Sequence, residues 1–257
     1  MKYRLAKWFF GSLALSSLAL SGCARHPTDP TNDPFEGYNR VMFGFNQDVD
    51  HLVFRPAATA YSKITPPQLQ AGVTNFFDNI NEIITFPNDF LQGNFRYMAV
   101  DFWRFVINTT VGVGGLFDVA TRLGIQPHAE SFGLTLAKWR GGQSAPYFII
   151  PLLGPATIQS GIGIAADYYT TPWPYLHNQT INYIANGVQL INIRAQLLPA
   201  DQMVANAFDP YIFVRDAYLQ REKEKIARNE ALPKIPDSTP VETNNTNQTS
   251  TEKTGTK

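Results

Sequence analysis

The stretch Asp33-Pro34-Phe35-Glu36-Gly37-Tyr38-Asn39-Arg40-Val41-Met42-Phe43-Gly44-Phe45-Asn46-Gln47-Asp48-Val49-Asp50-His51-Leu52 decides the fold class. Asp33 stands at a capping position, Pro34 at the first helical position and Glu36 at the third, the order that opens a helix. Behind them Phe35, Tyr38, Met42, Phe45, Val49 and Leu52 recur at alternating steps of three and four, which is one helix face. The stretch is an amphipathic helix, and Pro56 is expected to end it. The same period returns downstream. Leu69, Val73, Phe76, Phe77, Ile80, Ile83 and Ile84 share a face up to Pro87, and Met98, Phe102, Trp103 and Val106 mark a helix from Phe95 to Ile107. Further helices are expected over 116–123, ending at Gly124, over 179–198, and over 210–228, where a charged, water-exposed helix is predicted. Helix dominates, so the chain is expected to be all-α.

Working outward toward the N-terminus, Lys2, Arg4 and Lys7 precede an apolar run from Trp8 to Leu20, too short to span a bilayer core of about 30 Å. The run closes on Leu20-Ser21-Gly22-Cys23, a lipobox, and Cys23 is the chain's single cysteine. Residues 1–22 are thus expected to be a signal peptide, and Cys23 the site of a covalent lipid (N-acyl, S-diacylglycerol). Ala24 after the anchor favours sorting to the outer membrane. Residues 23–32 form a lipidated tether, 33–230 a single helical domain, and 231–257 a disordered polar tail without aromatics. With its one thiol acylated, the mature chain has none left for disulfide, thiolate-metal or nucleophilic chemistry.

Charge narrows the function classes. The 257 residues carry 21 Lys+Arg against 21 Asp+Glu, so no nucleic-acid footprint or polybasic patch is visible. Charged residues make up 16%, below the roughly 25% of ordinary soluble domains, while aromatics reach 13% with 18 Phe, a balance suited to a lipid environment. Between Arg140 and Arg194 the only formal charge is Asp167. Pro146, Pro151 and Pro155 with Gly154, Gly161 and Gly163 would break a spanning helix there, and open backbone cannot face lipid. Short helices lying in the membrane plane fit this segment; a buried hairpin of a soluble core would also lack charge.

Enzyme signatures fail on inspection. Gly112, Gly114 and Gly115 lack a third dinucleotide-loop glycine, whose place Phe117 takes, and no strand-rich unit precedes them. No Gly-Lys-Ser/Thr occurs, and Ser144 lacks the flanking glycines of a nucleophile elbow. His26, His51, His128 and His177 lack the i, i+4 spacing that sets two ligands on one helix, so no metal site is expected. The sequons at Asn108, Asn178 and Asn247 are read as coincidence. One set remains unusual: Asn39, Arg40, Asn46, Asn75, Asn79 and Asn108 sit in otherwise apolar helices, with Asn81, Asn88, Asn94 and Asn182 beside them. Asparagine is a poor helix-interior residue, and an amide facing lipid is costly. Two readings stand: caps and buried hydrogen bonds, or the lining of a polar passage through an apolar shell.

The run Asp33 to Arg40, with Phe43 and Phe45-Asn46 beyond it, resembles the opening of the MlaA/VacJ lipoprotein family. Phe90-Leu91-Gln92-Gly93, then Arg104 to Thr109 through Gly112, Gly114-Gly115 and Phe117 to Ala120, are similar to the family's middle block. Phe132-Gly133, Pro146-Tyr147, Pro151-Leu152, Arg194 to Leu198 and Asp209-Pro210-Tyr211 continue it to about Arg221. Ser131 and the turn Arg140 to Pro146 depart from the family's more acidic, Gly-Pro-Tyr form. The resemblance implies a ring-like, membrane-embedded helical lipoprotein with a central amphipathic channel, and no enzymatic activity. It would remove mislocalised phospholipids from the outer leaflet and pass them to a periplasmic carrier protein, associate with a trimeric porin, and sit in the inner leaflet of the outer membrane. Gly112, Gly114 and Gly115 match the family's hinge region. The rival reading is a structural lipoprotein that tethers porins or the envelope without moving lipid.

Overall fold

The computed structural model describes residues 33–230. Cys23, the signal peptide, the tether and the polar tail lie outside the described residues. The first helical run is longer than its sequence suggests. α1 (Glu36–Val49) passes through a five-residue π-turn (Asp50–Phe54) into α2 (Arg55–Ile64). Pro56 was expected to end the helix because it cannot donate to the ladder. The π-turn shifts the register just ahead of it, with the Arg55 N–H bonding the Asp50 carbonyl five residues back, and the helix runs on. Pro87 likewise lies inside α3 (Pro67–Leu91) rather than at its end. α4 (Phe95–Thr110) returns antiparallel to α3, and α5 (Val119–Arg122) is a single turn where a helix over 116–123 was expected.

α6 (Phe132–Trp139) precedes the uncharged segment, which holds strands β1 (Tyr147–Ile150) and β2 (Gly154–Thr157), then α7 (Ile158–Thr170). The strands pair antiparallel, Tyr147 opposite Thr157 and Ile150 opposite Gly154. A hairpin was the second of the two sequence readings for this stretch, and it coexists with the short helix of the first. α8 (Gln179–Leu197), α9 (Asp201–Ala205) and α10 (Pro210–Glu230) complete the order. Among the described residues no helix is long and apolar enough to cross a membrane.

Packing closes these elements into a circuit: α3 against α8, α8 against α2, α1 against β1, β2 against α7, α7 against α6, and α6 back against α3. The architecture is therefore ring-like and predominantly helical. Its helices are turned inside out relative to a soluble core. On α3, Asn79, Glu82, Thr85 and Asn88 recur every three residues on the buried face, while Leu69, Phe90 and Leu91 are exposed. On α4 the buried residues are Asp101, Arg104 and Asn108, with Phe95, Phe102 and Trp103 outside. α1 buries Glu36 and Asn39 and exposes Phe35, Val41 and Phe45. The apolar positions read from the sequence are real, and many of them lie exposed or half-buried, with Phe77 on α3 the buried exception. A small apolar core survives where the hairpin meets α10, built from Tyr147, Ile149, Tyr211 and Leu219.

Two local readings are corrected. Asp33 does not cap α1, whose first turn has no side-chain cap. Its carboxylate is instead fully buried, accepting from Asn39 Nδ2 at 2.7 Å and from the Tyr211 hydroxyl, with Arg215 Nη1 at 3.4 Å. α10 is water-facing on one side only: Arg221, Lys223 and Glu224 are exposed, whereas Arg215 and Glu222 are buried.

Candidate functional site: an amphipathic cavity

Six asparagine and arginine positions were read as lining a polar passage, and the structure divides them. Asn39 clips the hairpin, donating from Nδ2 to the Tyr147 carbonyl at 3.3 Å and accepting the Ile149 N–H at 2.9 Å. Asn46, two helical turns on, does the same for the Ile150 carbonyl (3.1 Å) and the Leu152 N–H (2.7 Å). Leu152 needs the help, because its φ of +66° is an unfavourable left-handed conformation for a branched residue. Arg40 pairs with Glu36 at 2.8 Å and Asp209 at 2.9 Å, its guanidinium 4.5 Å from the Tyr211 ring centroid. Burial opposes this charge, but the two carboxylates outweigh it and hold the Arg40 pKa above its ordinary value.

Asn75, Asn79 and Asn108 converge on a polar cavity of 230 Å³ between α3 and α4, which Glu82, Thr85, Arg104 and His128 also line. Arg104 spans it, with Nε 2.9 Å from Glu82 Oε1. Burial pushes the Glu82 carboxyl up to about 7, against the pull of Arg104. The glycine turn lies along the same wall. Asn75 Nδ2 donates to the Leu116 carbonyl at 3.2 Å, and Asn79 packs under Gly115, where a Cβ would fall 2.7 Å from Asn79 Cβ. Gly114 and Gly115 take φ of +68° and +90°, and a Cβ on Gly112 would fall 2.3 Å from the Phe117 carbonyl oxygen. The turn is therefore tight, and asparagines from α3 pin it.

The larger cavity, 570 Å³, opens between α8 and the hairpin tip, bounded by α1, the π-turn, α9 and the start of α10. Its wall is mostly apolar: Phe43, Phe54, Leu152, Leu153, Leu190, Ile193 and Leu197. One side carries paired charges. Arg194 grips Asp50 through Nε (2.6 Å) and Nη2 (2.8 Å), reaches Asp201 at 2.9 Å, and Asp201 is shared with Arg55 at 3.1 Å. Hydrogen bonds from Asp50 first, then Asp201, outweigh burial and raise the Arg194 pKa, so its charge is fixed. Arg194 Nη1 is buried without a hydrogen-bond partner. Two guanidinium groups and two carboxylates sum to zero, so this end of the cavity is strongly dipolar without net charge. An apolar wall that ends in such a cluster suits a molecule with a long hydrocarbon part and a small charged head.

Sequence reasoning missed this charged end. Asp50 opens the π-turn and Arg55 follows it, where the proline rule concealed a continuing helix, and Arg194 was visible as the residue that ends the uncharged stretch and opens the family-like run to Leu198, with no partner attached to it. Asp167, the one charge inside that stretch, is internal architecture: buried, it accepts the Phe132 N–H at 3.1 Å at the start of α6 and Asn88 Nδ2 at 3.3 Å. Histidine spacing was also too narrow a test for a ligand cluster, since tertiary packing brings His128 against Asp89, Asp101 and Glu130 from three segments.

Residues 31–225 match the family model described as MlaA lipoprotein. The intermembrane phospholipid transport system lipoprotein MlaA of Escherichia coli strain K12 is 37% identical over 231 residues, covering 86% of this chain and 88% of its own. An uncharacterized protein of Rickettsia prowazekii is 36% identical over 194 residues, covering 75% of this chain and 76% of its own. A solved structure, from work on the structural basis for maintenance of bacterial outer membrane lipid asymmetry, superposes with a TM-score of 0.65 at 35% identity. It aligns over 76% of this chain and 99% of that one.

Proposed function

We propose, from the premise that this chain belongs to the MlaA lipoprotein family, that it moves phospholipid between membranes and thereby maintains the lipid asymmetry of a bacterial outer membrane. The observation that carries the reading is the 570 Å³ cavity, apolar along its wall and dipolar at one side, set in a body that turns its apolar faces outward. Acyl chains partition onto Phe43, Phe54, Leu190 and Leu197, and the headgroup meets Arg194, Asp50 and Asp201. The site works by partition and orientation, with no bond made or broken. The chain acts as a passive conduit rather than as an enzyme.

In this reading Cys23 carries the lipid that holds the chain to the outer membrane at its periplasmic face, and the exposed aromatic and aliphatic belt sinks the body into the inner leaflet. Phospholipid that has strayed into the outer leaflet enters the ring and leaves to a soluble periplasmic carrier. A trimeric porin is the expected membrane neighbour. The turn at Gly112, Gly114 and Gly115 acts as a hinge beside the polar cavity lined by Asn75, Asn79 and Asn108. Deleting the gene is expected to raise outer-leaflet phospholipid, read as the product of an outer-leaflet phospholipase, and the intact gene should restore it. An unchanged product level would leave only the tethering role.

A further inference from the structure

Away from the large cavity, four titratable side chains meet in the interior. Asp89 comes from α3, Asp101 from α4, and His128 and Glu130 from the segment that leads into α6. Both aspartates are fully buried, Glu130 is 7% exposed, and the His128 side chain is 12% exposed. His128 Nδ1 lies 3.0 Å from Asp101 Oδ2 and 3.7 Å from Asp89 Oδ1, and its Nε2 lies 3.2 Å from Glu130 Oε1. The geometry leaves acceptors over: both Asp89 oxygens and Asp101 Oδ1 are buried with no hydrogen-bond partner. A buried carboxylate with neither oxygen bonded is costly unless something neutralises it.

We propose that Asp89, His128 and Glu130 bind one divalent first-row transition-metal ion, with Zn²⁺ the best match, and that Asp101 orients the imidazole from behind. One donor atom from each of the three lies within 4.8 Å of the others. A tetrahedral zinc with bonds of about 2.0–2.1 Å separates its ligand atoms by roughly 3.3 Å; the 3.2 Å between His128 Nε2 and Glu130 Oε1 meets this, and Asp89, whose Oδ1 lies 3.7 Å from Nδ1 and whose oxygens no hydrogen bond holds, would turn toward the Nε2 side to complete the set. A carboxylate on the far ring nitrogen is the usual support of a zinc-bound histidine, and Asp101 occupies that place. Glu130 is itself steadied by Gln92 Nε2 at 2.8 Å and by Asn229. One imidazole among carboxylates favours zinc over magnesium, calcium or manganese, which suit oxygen ligands. His128 and Thr85 also face the 230 Å³ polar cavity, which supplies a route in. The ion would tie α3, α4, α6 and, through Asn229, α10 into one unit.

This inference does not rest on lipid transport, and its test reads metal directly. The full-length protein, purified without a histidine tag, stripped with chelator and dialysed, is titrated with ZnCl₂ by calorimetry. One equivalent is expected to bind in the micromolar range or tighter, with a rise in melting temperature. Asp89→Asn keeps the shape of the side chain and should fold, yet lose at least about tenfold in affinity together with the thermal shift; His128→Gln should do the same. Absence of binding to the unmodified protein, or equal binding by Asp89→Asn, overturns the site. Tighter binding of Mg²⁺ than of Zn²⁺ overturns the assignment of the ion.

Discussion

Asn39 and Asn46 stand seven residues apart on α1, so both amides face the same side and each presents a donor and an acceptor to the backbone of the hairpin. A sequence shows that such amides are expensive in an apolar helix; it does not show whether water, lipid or another backbone satisfies them. Here an edge of backbone does. Asn39 also donates to Asp33, so Asn39→Ala removes one donor from a buried carboxylate that keeps Tyr211 and Arg215, and takes this partner from the Tyr147 carbonyl and the Ile149 N–H as well. The expected loss is about 3 kcal/mol in denaturant unfolding. Asn46→Ala, half-buried and serving two backbone groups near the tip, should lose about 1 kcal/mol. Equal losses at the two positions would show that the amides are not holding the hairpin in the way the distances imply.

Helices α3 and α4 form the element in which polarity is most fully inverted, and its central pair is Glu82 with Arg104. Burial raises the Glu82 carboxyl from 4.5 to about 7. Folding therefore takes up a proton at Glu82 between about pH 4.5 and 7, and the stability contributed by this group falls as pH rises through that window, then levels off. Glu82→Gln should remove that slope, at most about 1.4 kcal/mol per pH unit, when chelated wild type and variant are unfolded in urea at several pH values. A variant whose slope matches the wild type would assign the proton elsewhere. The glycine turn at the end of α4 separates two effects. Gly112→Ala sets a Cβ against two backbone oxygens and should destabilise the fold strongly, whereas Gly114, with open space around it, carries only the left-handed strain of about 1–2 kcal/mol. Gly114→Val is thus the cleaner probe of opening: normal expression with unchanged lipid asymmetry would count against a hinge. Existence and order of the long helices were legible because the 3.6 period survives inversion of the faces. Their ends were not. Pro56 and Pro87 obey a rule about missing donors that a π-turn and a long, well-packed helix override, and a run such as Tyr147 to Ile150 has no period to distinguish strand from helix.

At the scale of the molecule, periodicity gives a helix two faces, and only the solvent decides which one turns outward. The low charge and the 18 Phe hinted at lipid, and the exposed Trp103, Trp139, Tyr169 and Tyr183 now form part of an outer surface suited to a membrane interface. If that surface holds the body in the leaflet, Cys23→Ser should mislocalise the protein without making it freely soluble; fractionation that finds it wholly soluble and stable would argue against embedding. The same body must leave the cavity open for lipid to pass. Leu153 lies at the hairpin tip, lines the cavity and is 62% exposed, so enlarging it costs little stability. Leu153→Trp narrows the apolar wall facing α8 while leaving Arg194, Asp50 and Asp201 in place. Cells carrying it at normal protein level should accumulate outer-leaflet phospholipase product toward the level of the deletion. A variant that complements fully would mean that lipid travels by another route, and the polar cavity between α3 and α4 would be the next to block.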